Sequence, residues 1–180
     1  MASISAAPGL FYRMYGIFQE NDPANPFNWR QTTDRQIELL GGTGIPVLNG
    51  YIDLSAQYLA EIRGVDCMKT VLPKIKVGIH RDIQVLFADQ GNGDFHEPLA
   101  SSDQIIHQLF TAAIDVTGNQ GFFSNGSTRP EAEKVARLVL RAAYEGALYA
   151  ALELKIEKVV LTLIGGGVFA NPQEWVLDAV

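Results

Sequence analysis

The sequence predicts an α/β domain with buried strands under helices, and three segments carry that prediction. "QIIHQLFTAAIDVTG" is apolar enough for a buried strand ending near Asp115, residues 130 to 154 make the best amphipathic helix, and "KVVLTLI" is continuously apolar. Strand, long helix and strand form the crossover unit of an α/β sheet, with "KVVLTLI" suited to a central place covered on both faces. The helix has Thr128 three residues before Glu131 as a capping pair and Pro130 in its first turn. Val135, Leu138, Val139, Ala142, Gly146, Ala147 and Ala150 lie along one stripe.

The earlier elements follow from local signals. Residues 2 to 18 are small and aromatic and are interrupted by Pro8-Gly9, and "QENDPANPFNW" has too many Pro, Asn and Asp residues for regular structure. "TTDRQIELL" predicts a short helix behind a Thr or Asp cap. "GGTGIPVLNGYIDL" predicts a hairpin turning at Asn49-Gly50. "SAQYLAEIRGVDCM" predicts a helix capped by Ser55. In "KIKVGIHRDIQVLFAD" a period of two puts Ile75, Val77, Ile79, Arg81, Ile83 and Val85 on one strand face and Gly78, His80, Asp82 and Gln84 on the other. "QGNGDFHEPLASSD" is a polar loop.

With 180 residues, 47% apolar and 19% charged, the chain is long enough for one substantial core, so a single domain over 1–180 is expected. A net charge of −6 offers no clustered basic surface, so nucleic acid is not the expected partner. The lone Cys67 excludes an internal disulfide, and His80, His96 and His107 lack zinc-ligand spacing, so neither metal nor other cofactor is expected. Without a long apolar span or a secretory leader, the reading is a cytoplasmic protein with no membrane partner. The abrupt ends predict a piece of something longer.

"LTLIGGGVFANP" places three glycines between an apolar run and a helix start. Glycines admit positive φ and close backbone approach, and a helix start adds free N–H groups, so the loop suits a diphosphate. Asn171 is expected to cap that helix, with Pro172 at its first position. The plainer alternative is a sharp turn that permits close packing. Neither the dinucleotide fingerprint nor the Walker loop is present.

"AAYEGALYAALELKIEKVVLTLIGGGVFANPQEWVLDAV" resembles the carboxyl-terminal part of the macrodomain-type ADP-ribose hydrolases, in the branch related to bacterial effectors that remove ADP-ribose from modified ubiquitin. "FYRMY", "QTTDRQI", "VGIHRDIQV" and "QLFTAAIDV" are similar to the family's "IYRNY", "GQTxDRQI", "IGLHWDVEV" and "QAFCSALPV", in the same order. The resemblance spans essentially the whole chain. It implies a macrodomain-like three-layer α/β/α fold with a mixed central sheet. The family's pattern begins upstream, with an "FN" strand and a "GPACAIA" segment, so a form shortened at the N terminus is expected. Ala170 stands where the family's "AFGN" has glycine.

The resemblance implies that Gln31, Thr32 and Gln36 contact ribose or phosphate, that Gly165, Gly166, Gly167, Val168 and Asn171 form the ligand loop, and that Phe169 packs on the distal ribose. It implies ADP-ribose or an ADP-ribosylated protein as partner, ubiquitin among the candidates, and removal of ADP-ribose from proteins as the activity. Cleaving the glycosidic bond needs a carboxylate to direct water and stabilisation of an oxocarbenium-like transition state. Asp82, on the polar strand face and matching the family's "HWD", is the first candidate, and Asp115 the second. The alternatives are an Arg-paired structural carboxylate for Asp82, a turn or cap for Asp115, and a capped helix with a solvated face for "QTTDRQI". "NQGFFSNGSTRP" either covers the adenine or the leaving protein, or anchors itself by its aromatics. "HRD" lacks the other kinase motifs. His96 and His107 carry no functional expectation. The competing functions are a non-catalytic ADP-ribose reader and a structural or assembly protein that keeps the fold. A second copy of the chain is a further candidate partner, closing an exposed sheet edge.

Overall fold

The computed structural model describes residues 39–48, 51–85, 87–89, 96–98, 103–111, 113–117 and 130–180. The elements are β1 (Val47–Leu48), β2 (Tyr51–Ile52), α1 (Ala56–Glu61), α2 (Cys67–Thr70), a 3-10 turn (Leu72–Lys74), β3 (Gly78–Gln84), β4 (Phe87–Asp89), β5 (His96–Pro98), β6 (Ile105–Phe110), α3 (Pro130–Glu153) and α4 (Gln173–Ala179). The chain is thus mixed α and β. Among the described residues the strands pair two by two, β1 with β2, β3 with β6 and β4 with β5, and no wider sheet forms. The elements divide between two compact units, a strand unit within Ile79–Phe110 and a helical unit within Glu38–Gly78 and Thr111–Val180.

In the helical unit the β1–β2 register, Val47 opposite Ile52 and Leu48 opposite Tyr51, leaves two residues for the turn, as Asn49-Gly50 predicts. Ser55 caps α1 by accepting the Tyr58 N–H at 3.3 Å. The helix ends sooner than the sequence suggests. Gly64 and Asp66 interrupt it, and Asp66 caps α2 by accepting the Lys69 N–H. The Lys134 ammonium of α3 donates to the carbonyls of Ile62 and Val65, each of which also accepts a backbone N–H, and so ties the turn after α1 to α3.

Helix α3 matches its predicted span to within one residue, and Glu131 and Glu133 in its first turn suit the positive end of the dipole. Its predicted cap, Thr128, lies outside the described residues. The buried stripe is broader than the sequence reading, because Ala136, Leu140, Ala143 and Tyr144 are also enclosed. Leu54 and Tyr58 come from the α1 side of the core, and Trp175 and Val176 from α4. Each large side chain buried there contributes on the order of 1.5–3 kcal/mol. Arg137 joins α3 to α4 by contacting Glu133 and Asp178, both at 2.8 Å, with its guanidinium 5.1 Å from the centre of the Trp175 ring. Gly146 is needed for packing, since a Cβ there would meet Val77 Cγ1 at 2.6 Å. The helix then stops in a Schellman turn, in which Lys155 takes φ 55° and the N–H groups of Lys155 and Ile156 bond Leu152 and Ala151.

"KVVLTLI" does not form the central strand expected of it. Val159 to Leu163 have no strand partner among the described residues, and Val160 is 90% exposed. Two features occupy the backbone where a neighbouring strand would bond. The Tyr144 hydroxyl donates to Thr162 O at 2.7 Å and accepts from Ile164 N at 3.0 Å, and the Ile164 N–H also reaches Thr162 O in a tight turn.

In the strand unit, Asp82 of β3 meets His107 of β6, and Val85 meets Gln104, so the two strands run antiparallel. β6 stops at Phe110, five residues before the predicted end at Asp115. The expected period of two in β3 breaks. His80 is half-buried and Ile79 is 44% exposed, whereas Ile83 is buried. Asp82, with φ 56°, lies between these stretches and resets the phase of the pleat, as a bulge does.

Candidate functional site

The glycine loop, residues 165 to 171, is closed on itself by backbone bonds from Ala170 to Gly167 O and from Asn171 to Gly165 O, both 2.9 Å. Its entrance is fixed by Tyr144, which is almost wholly buried and reaches it from α3. Gly165 has φ 73°, and a Cβ there would lie 2.4 Å from Ala113 Cβ and 2.7 Å from Asn171 Nδ2. Both conformation and space therefore require glycine. Gly167 differs, with nothing within 4 Å of a Cβ.

Asn171 does not cap α4. Pro172 takes that position, with its carbonyl accepting from Trp175 N and Val176 N, and no side chain caps the helix. Asn171 is 4% exposed, and its Nδ2 donates inward to Ile114 O at 2.9 Å and Gly165 O at 3.2 Å. The carboxamide stitches loop to core, because buried carbonyls need donors more than an exposed helix start does. Asn171 Oδ1 is buried without a hydrogen-bond partner among the described residues.

The same stitching brings Asp115 to the loop. Asn171 binds Ile114 O, and Val116 N binds Phe169 O at 2.9 Å, so Asp115 lies between two residues bonded to the loop. Its Oδ1 accepts the Thr117 N–H at 2.9 Å, the turn geometry of the plainer reading. The Thr117 hydroxyl first, and then that N–H, hold its carboxyl below the ordinary carboxylate range. A group so depressed stays ionised near neutrality. It is better suited to stabilising positive charge than to accepting a proton.

The loop's outer side is open. The N–H groups of Gly167, Val168 and Phe169 have no hydrogen-bond partner among the described residues, and all three residues are exposed. Three successive free donors are what an anion needs from a backbone. Phe169 is 39% exposed, so it is not the core residue that a lone aromatic usually is.

Ala170 sits at φ 53°. The left-handed region costs a residue with a Cβ about 1–2 kcal/mol, and glycine adds about 0.4–1 kcal/mol of unfolded-state entropy. The strain is larger. Ala170→Gly is therefore expected to raise stability by about 0.5–1 kcal/mol in urea unfolding, and an unchanged or lower midpoint would contradict that conformation.

Asp82 belongs to the strand unit and is exposed. Its carboxylate has no ion-pair partner among the described residues, and its N–H donates to His107 Nδ1 at 3.1 Å. His107 is thus in contact with a candidate residue, which nothing in its sequence context signals. Gln31, Thr32 and Gln36 lie outside the described residues, as do Phe122 and Phe123. Among the described residues no group of three or more His, Cys, Asp or Glu side chains could hold a metal, and no helix is long and apolar enough to cross a membrane. Compared with protein-family models, curated proteins and solved structures, the chain matches none.

Proposed function

We propose that the chain binds ADP-ribose and hydrolyses the glycosidic bond joining it to a protein side chain, within a macrodomain-like three-layer fold. The observation that carries this reading is the open side of the glycine loop, where the free N–H groups of Gly167, Val168 and Phe169 suit a diphosphate. Phe169 offers an exposed ring for the distal ribose. Gln31, Thr32 and Gln36 would supply further polar contacts.

In the reaction, water adds its oxygen to the anomeric carbon, the bond to the leaving side chain breaks, and the leaving group gains a proton. On the family resemblance alone, Asp82 would accept the proton of the attacking water. Asp115, ionised beside the loop, stabilises the positive charge that develops on the ribose. A loop without catalysis would make the chain a reader of the same ligand.

Release of ADP-ribose from an arginine- or glutamate-linked conjugate separates the two. The wild-type chain is expected to release it, and Asp82→Asn to lose at least about 100-fold in rate, the usual scale of a general base, with ADP-ribose binding kept. Undiminished turnover in that variant would remove Asp82 from the mechanism.

A further inference from the structure

His107 and Asp82 make a contact that a regular ladder lacks. In an antiparallel pair the backbone N–H of a β3 residue goes to a carbonyl of β6 or to solvent, yet the Asp82 N–H goes to the His107 ring, 3.1 Å from Nδ1. Asp82 also has φ 56°, a conformation that residues with a Cβ rarely keep without an external hold. The side chain of His107 is the partner that the turned-out N–H finds.

We infer that His107 is a positioning residue for Asp82: its neutral imidazole accepts the Asp82 N–H, holds Asp82 in the left-handed conformation that presents its carboxylate, and releases it on protonation. The role in turnover rests on the reading of Asp82 as the water-directing carboxylate. The contact itself does not. Nδ1 accepts only without a proton, so the bond fixes the tautomer with hydrogen on Nε2. A proton on Nδ1 sets two donors against each other. The ionisable side chains described on the paired strands are His80, Arg81 and Asp82 on β3 and His107 on β6, with Asp103 just before β6. Of these, His80 is engaged differently, its ring stacked on Phe110 at 6.3 Å between centroids.

The test joins nuclear magnetic resonance of the full chain to a pH profile. The Asp82 amide signal is expected to titrate with the same midpoint as the His107 imidazole, and in His107→Phe that titration disappears. His107→Asn keeps an acceptor where Nδ1 stood, but one that does not titrate. It should retain at least half of the wild-type kcat at neutral pH and show only the acid limb that protonation of Asp82 itself sets, whereas His107→Phe should lose at least 10-fold in kcat at neutral pH, a deficit that closes as the wild-type imidazole takes up its proton, with ADP-ribose affinity unchanged. An Asp82 amide indifferent to His107 protonation, or a kcat limb that keeps the wild-type imidazole's midpoint in His107→Asn, would overturn the inference. Undiminished turnover in Asp82→Asn would instead overturn the catalytic reading, and the amide coupling would then support the contact alone.

Discussion

Gly165→Ala is expected to lower the melting temperature by roughly 5–15 °C and to abolish ADP-ribose binding. The added methyl costs about 1–2 kcal/mol because φ is 73°, and about 1–3 kcal/mol more because it must displace Ala113 and the Asn171 carboxamide. In a chain of this length each kcal/mol shifts the midpoint by about 2–4 °C. Gly167→Ala is the control, since a Cβ there meets nothing within 4 Å. It should melt within a few degrees of wild type, so any loss of affinity in it reflects the open side of the loop. Equal stability of the two variants would contradict the packing described around Gly165.

Asn171→Asp is expected to destabilise by about 3–5 kcal/mol at neutral pH, the scale of an uncompensated buried charge. The side chains have nearly the same shape, but the carboxylate would place an acceptor against the carbonyls of Ile114 and Gly165. Burial and those carbonyls favour the protonated form, so the introduced carboxyl has a raised folded-state pKa. A raised pKa makes the contribution most favourable at low pH and progressively lost as pH rises. The variant should therefore lie closer to wild type at pH 4 than at pH 8 in denaturant unfolding. A deficit that grows toward acid pH would contradict the inward placement of Nδ2.

These two positions also show how far the sequence could be read. The three glycines are visible as a turn, but which of them is required depends on Ala113, more than fifty residues away. Asn171 before Pro172 satisfies the local rule for a helix cap, and the rule loses because the two carbonyls of Ile114 and Gly165 around a buried side chain make stronger demands than one exposed helix end. Where the determining contacts are local, the reading succeeds. The Asn49-Gly50 hairpin, the Ser55 cap and the span of α3 all depend on neighbours within a few residues.

Strands are harder, because pairing is decided by chain far away. "KVVLTLI" has the composition of a central strand, yet Tyr144 and a tight turn take the Thr162 carbonyl and the Ile164 N–H at its end, and Val160 and Leu163 are exposed. The alternation in β3 is also real in the sequence, and one residue at positive φ reverses its phase. Nothing in "GIHRDIQV" announces that Asp82 will adopt it. Of the candidate residues, the loop and Asp115 come together through Ile114 and Val116, Asp82 acquires an unforeseen partner in His107, and Gln31, Thr32 and Gln36 lie outside the described residues.

Calorimetric titration of ADP-ribose into the full chain tests the central claim most directly. Saturable binding of one ligand per chain is expected, kept in Asp82→Asn and lost in Gly165→Ala. No heat of binding at millimolar ADP-ribose would contradict it.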